Sequence, residues 1–277
     1  GPGRFEHRTS RDKHRTNMLA GLCLQPGAWD KTEGPMDDLA ISNVTMRNVT
    51  TPLHLSLKPG NVGGRVTIDR MTATGCYLAA ASIESWAETP IEHVTLRDVN
   101  LSFTGGGTAE QAKLLVKSPP VDARPLPAWG LYVRNVKHLD LVNVRLSLDA
   151  DDVRPMVICD GVERLTLDAL EFPRSAEPPF VFTGVGDVRL SETNLPVARA
   201  RCLDLKIEPL AVAASIENGP QDGLTKVELS YAGKTLTRWV YLKASEKTDV
   251  VFTGLPALPP GKHELRCGDV IKDITRP

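Results

Sequence analysis

The chain has 277 residues, 41% of them hydrophobic but only 5% aromatic, so aliphatic side chains must fill its interior. Its 33 basic and 34 acidic residues leave a net charge of -1, which argues against a nucleic-acid or anionic-membrane binder. No apolar run is long enough to span a bilayer.

In chain order, the stretch from Arg4 to Arg15 is basic and polar, and residues 1–18 are expected to be a flexible or capping segment. From about residue 19 a pattern recurs: apolar, two variable positions, apolar, polar. It begins at Ile41, Ile68, Leu96, Leu141, Leu167 and, in degenerate form, Leu190. The repeats also carry second short segments of period-two alternation, at 52–57, 80–85, 130–135, 155–160 and 179–184. Alternation of that period is the mark of half-buried strands. Strands this few and this short bury no core alone, so the repeats are expected to stack as coils of a solenoid. The reading is all-β: a right-handed parallel β-helix over residues 19–200. Leucine-rich repeats are the alternative, but they want a helical segment per repeat and a denser leucine frame. The one long interval, between 96 and 141, holds an insertion from Thr104 to Ala128, rich in glycine and proline and read as loop.

Beyond about Arg201 the period disappears. Strands are expected at 206–218, 225–230, 235–243, 249–253 and 263–267, with turns at Ala232-Gly233-Lys234 and between Gly254 and Gly261. Residues 201–277 therefore read as a small β-sandwich of some seven strands, Ig-like, with Trp239 as its core anchor.

The five cysteines, Cys23, Cys76, Cys159, Cys202 and Cys267, are scattered and never spaced as CxxC. Neither a metal site nor a disulfide framework is implied, although Cys202 and Cys267 fall in the same domain. Asp149, Asp151 and Asp152 offer oxygen ligands of the calcium type without EF-hand spacing, and a charged loop between coils is the preferred reading. No cofactor is expected.

Three strings, 41–49 (ISNVTMRNV), 90–100 (PIEHVTLRDVN) and 129–135 (WGLYVRN) with its continuation to Leu148, resemble bacterial polygalacturonase-like glycoside hydrolases. The similarity covers roughly Leu19 to Leu195. It implies a parallel β-helix acting on polysaccharide, of acidic type, in a secreted or periplasmic setting. The family's Asn-Thr-Asp strand, paired aspartates and Gly-His-Gly turn are not found here in context. Asp37-Asp38 opens an outer strand and reads as a turn. Where the resemblance implies an Arg-Ile-Lys strand, this chain has Gly21 to Gln25, with Cys23 and Gln25 at the positions of the cations. Glycoside hydrolysis needs two carboxylates flanking the bond, so no catalytic residue is assigned. The alternative is a non-catalytic carbohydrate-binding or assembly module.

Period-two geometry predicts an outward stripe across the coils: Cys23 and Gln25, His54 and Ser56, Ser82 and Glu84, Tyr132 and Arg134, Val157 and Cys159. From it, Glu84, Tyr132, Arg134, His54 and Gln25, with Trp86 as a flat face for a sugar ring, are the candidate saccharide-binding residues. The resemblance places the start of this chain near the last catalytic coil, so an open first coil is expected to dock against a second copy, a partner chain or the N-terminal segment.

Overall fold

A computed structural model describes residues 20–28, 31–119, 123–173, 179–193, 195–208, 211–253, 255 and 260–276. The N-terminal segment of the sequence reading, residues 1–18, lies outside them. Among the described residues the chain is almost wholly β, with one helical turn, α1 (Ala109–Ala112). It divides into two compact units, Gly1–Asn194 and Leu195–Pro277.

The first unit is a parallel β-solenoid of about six coils. Its strands in chain order are β1 (Leu22–Leu24), β2 (Gly34–Met36), β3 (Leu39–Arg47), β4 (Leu53–Leu57), β5 (Asn61–Gly63) and β6 (Arg65–Cys76). There follow β7 (Ala81–Ser85), β8 (Ile91–Phe103), β9 (Leu131–Leu148), β10 (Val157–Asp168), β11 (Phe180–Thr183) and β12 (Asp187–Ser191). Strands β1, β4, β7, β9, β10 and β11 pair in parallel to make the first face. Strands β3, β6, β8, β9, β10 and β12 make the second.

Register explains the repeat. Ile41, Ile68, Leu96, Leu141, Leu167 and Leu190 pair successively along one row. Val44, Met71, Val99 and Val144 pair along the next. Between the two rows the third residue of each motif turns the corner with φ near +50°: Asn43, Arg70, Asp98, Asn143, Ala169 and Glu192. That left-handed conformation costs an ordinary residue roughly 1–2 kcal/mol. Side-chain bonds between neighbouring coils offset part of it, Arg70 Nε donating to Asn43 Oδ1 at 2.8 Å and Asn143 Nδ2 to Asp98 Oδ1 at 2.6 Å. A second positive-φ column, Asn135, Gly161 and Gly184, turns the later coils from the first face to the second.

The coil interior is aliphatic: Leu55, Ile83, Val133 and Cys159 are fully buried in one first-face row, and Val66, Val94, Leu139 and Leu165 in a second-face row. Asp37-Asp38 is a turn, with Asp38 at φ 51° and Asp37 Oδ1 accepting from the Arg65 and Asp38 amides, each at 2.8 Å.

The second unit has two antiparallel sheets. One contains β13 (Ala200–Glu208), β14 (Ala211–Asn218) and β17 (Lys247–Thr253). The other contains β15 (Gly223–Tyr231), β16 (Lys234–Leu242), β18 (Gly261–Cys267) and β19 (Val270–Arg276). Leu205, Ile216 and Phe252 of the first sheet share one core with Leu229, Tyr231 and Leu265 of the second, which makes it a sandwich. The single strand expected over 206–218 is two strands, since Glu208 pairs with Ala211 across a reversal. Trp239 is not the core anchor. It pairs with the exposed Lys226 on the outer side of its sheet and is only half-buried, while Phe252 and Tyr231 supply the buried aromatic rings.

Candidate functional site

The outward stripe exists on the first face, and register fixes its rows. Cys23, His54, Ser82, Tyr132, Ile158 and Val181 pair in one row, and Ser56, Glu84, Arg134, Asp160 and Thr183 in another. The fifth coil corrects the sequence reading. Val157 and Cys159 are fully buried in the core, and Ile158 and Asp160 take the outward positions. The run Met156 to Cys159 is apolar throughout, so alternation gave no phase there. A one-residue slip moves every side chain to the other face.

The stripe is not an open groove. His54, Ser56, Ser82, Glu84 and Tyr132 all lie at 4% exposure or less. The 104–128 insertion leaves the solenoid after Phe103, makes the turn α1 under a Thr108–Gln111 capping box, and crosses back over the first face. Its apolar residues Leu126 and Ala128 pack with Tyr132 and Ala80. Its polar groups meet the stripe directly. Arg124 grips Glu84 in two parallel bonds, Nη1 to Oε1 at 3.0 Å and Nη2 to Oε2 at 2.8 Å, and also donates to the Lys117 carbonyl at 2.8 Å. Lys58, at the end of β4, donates to Ser118 Oγ at 2.8 Å and to the Pro119 carbonyl.

The turn of the next coil clamps this strap at both ends. Gly106 N donates to the Asp151 carbonyl at 2.9 Å, and Gly107 N to Asp152 Oδ2 at 2.9 Å. Arg154 Nη1 reaches the Leu126 carbonyl at 3.3 Å. Asp152 and Arg154 are themselves buried and doubly bonded, Nε to Oδ1 at 2.9 Å and Nη2 to Oδ2 at 2.6 Å. Burial pushes the Asp152 carboxyl up, but the hydrogen bonds from Arg154 outweigh it and the net position is below the ordinary value. Its oxygens serve the strap, and the described residues contain no cluster of three or more groups fit to hold a metal.

Under the strap, His54 shares a hydrogen bond with Ser82 Oγ at 2.8 Å, while its Nε2 and the buried Ser56 Oγ have no hydrogen-bond partner. Desolvation drives the His54 imidazole down to about 4, against the opposing pull of Glu84, so it is neutral at pH 7. Desolvation, helped by Glu84 and Asp160, pushes the Tyr132 phenol up to about 12. Lys58 is lowered by burial first and by the Arg124 charge after it.

Beside the strap the stripe reaches solvent. The Arg134 guanidinium lies over the Trp86 ring, 4.4 Å from its centroid, and pairs with Asp160. Arg134 and Asp160 side chains are 36% and 33% exposed. Trp86 Nε1 donates to Glu84 Oε2 at 2.8 Å, which joins this rim to the buried pair. The six candidate residues thus divide: Glu84, His54 and Tyr132 sit beneath the strap, Trp86 and Arg134 form the rim, and Gln25 lies on the first coil, accepting from Cys23 Sγ at 3.2 Å.

Sequence reasoning missed Arg124, Lys58 and Asp160. A carboxylate in the middle of a buried strand is seldom stable without a cation, and that rule applied to Glu84 points to a cation from outside the coils. Comparison with protein families, with curated proteins and with solved structures finds no match.

Proposed function

We propose that the chain is a polysaccharide-binding parallel β-helix, akin to the polygalacturonase-like glycoside hydrolases but acting here by binding rather than hydrolysis. The observation that carries the reading is the rim cluster of Trp86, Arg134 and Asp160. An aromatic ring, a planar five-donor cation and a carboxylate acceptor on a rigid sheet suit a sugar ring and its hydroxyls. An acidic saccharide is favoured because stripe, strap and the residue after β4 together bring three cations, Arg134, Arg124 and Lys58, against two carboxylates, Glu84 and Asp160. Hydrolysis is disfavoured because each of those carboxylates is held by an arginine. A general acid needs a carboxyl free to reach the glycosidic oxygen, and both of these are engaged by guanidinium groups.

Affinity electrophoresis in gels containing polygalacturonate, alginate or neutral glucan tests the proposal. Retardation by polygalacturonate is expected, weakened about tenfold by Trp86→Ala or Arg134→Ala, in line with the loss of one stacking or charged contact. No reducing or unsaturated ends are expected from these polymers. Absence of retardation by every polymer overturns the binding reading. Release of reducing ends that disappears with Glu84→Gln replaces it with hydrolysis at the stripe.

A further inference from the structure

We propose that Cys202 and Cys267 form a reversible disulfide that staples together the two sheets of the C-terminal sandwich. Cys202 lies on β13 in the three-stranded sheet, and Cys267 ends β18 in the four-stranded one. Both are free thiols, and they line one cleft, with Cys202 packed against the core cluster that contains Cys267. Cys202 Sγ donates to the Asp204 carbonyl at 3.5 Å. Beside them Lys272 Nζ, on β19, reaches the Leu205 carbonyl of β13 at 2.5 Å, so the sheets are tied at this end before any bond forms. The two cysteines line a cleft of about 520 Å³ together with Ala200, Lys226, Gly268 and Asp269, wide enough for a small oxidant.

The cleft also sets the order of reaction. Cys267 is buried whereas Cys202 is partly exposed to the cleft, and desolvation pushes the Cys267 thiol up to about 12, so Cys202 is the attacking group. With a disulfide oxidant such as oxidised glutathione, Cys202 loses its proton and its thiolate attacks one sulfur, forming a mixed disulfide and expelling a glutathione thiolate that takes up that proton. Cys267 then displaces the second glutathione thiol and passes its proton to it. Two protein thiols are oxidised and one glutathione disulfide is reduced. The solenoid cysteines behave differently: Cys76 and Cys159 are buried and raised by desolvation, and Cys23 is exposed and donates to Gln25 Oε1.

The test is incubation of the full chain with oxidised glutathione, followed by alkylation and tryptic mapping. Cleavage after Arg201, Lys206, Arg266 and Lys272 isolates the two cysteines on separate peptides. The expected result is one cross-linked pair, 202–206 joined to 267–272, with two fewer thiols titratable in denaturant. Closing a loop of this length also raises the sandwich's unfolding midpoint by roughly 10 °C. Dithiothreitol reverses the rise and Cys202→Ser abolishes it. A stable glutathione adduct on Cys202, a link from Cys202 to another molecule, or retention of both thiols overturns the proposal.

Discussion

Arg124 and Glu84 stand 40 residues apart in the chain and meet as a two-pronged ion pair, with Glu84 wholly buried. The pair ties a surface insertion to the sheet beneath it. Its removal strands a charge, and breaking a buried pair from one side is far more costly than replacing both partners.

Arg124→Ala is therefore expected to destabilise the solenoid by roughly 3 kcal/mol. The double variant Arg124→Ala with Glu84→Gln is expected to recover more than half of that loss. Urea unfolding of the four proteins of the cycle gives both numbers, and strictly additive losses contradict the coupling.

His54 supplies a pH dependence. Its folded-state value, about 4, lies below the ordinary 6.5, so the unfolded chain takes up the proton first as pH falls. The stability it contributes is complete above about pH 6.5 and is lost progressively toward pH 4, a loss of about 3 kcal/mol across that window. Stability measured at pH 7 and at pH 4.5 is expected to fall less in His54→Gln than in the parent. An equal fall in both excludes His54 as the source.

The left-handed corner predicts opposite effects at two equivalent positions. Ala169 adopts φ 51° with no side chain able to bond locally, and Ala169→Gly is expected to stabilise by roughly 0.5 to 1 kcal/mol. Asn143 holds the same conformation, and Asn143→Val, with a β-branched chain and no bond to Asp98, is expected to destabilise by roughly 2 kcal/mol. Thermal unfolding of both variants checks the signs.

Asp152 holds the strap through Gly107 and through Arg154, which in turn reaches Leu126. Asp152→Ala is expected to free both ends of the strap. Protease cleavage within residues 104–119 is expected to quicken about tenfold, and stability to drop by roughly 3 kcal/mol. Mapping of the first cleavage sites decides, and cleavage that begins in the coils instead contradicts the clamp.

The repeat, and with it the solenoid, was legible because one row of aliphatic residues recurs at the same place in every coil, from Ile41 to Leu190. The motif's third position was legible only as variable, since Asn, Arg, Asp, Ala and Glu share no chemistry there. What they share is a backbone angle, which a string of side chains does not display. The fifth-coil register was hidden by an apolar run without phase, and Trp239 misled because a large ring on a sheet's outer side looks like a core residue in sequence. The cover over the first face was illegible for another reason: Arg124 finds Glu84 through tertiary folding alone, and nothing near either residue encodes the distance.

The corner that follows the Val44, Met71 and Val99 segments turns through Asn48 and Gly75, both at positive φ, in two coils, and in the next, after Phe103, it is where the long insertion departs through Gly105 and Gly106. Chain added at that point leaves the coil count and every stacked row untouched, and it emerges beside the first face. The scaffold thus separates two evolutionary variables. Substitution in the rows edits the first face, while lengthening one corner edits its cover, so the same six coils can be re-roofed without being rebuilt.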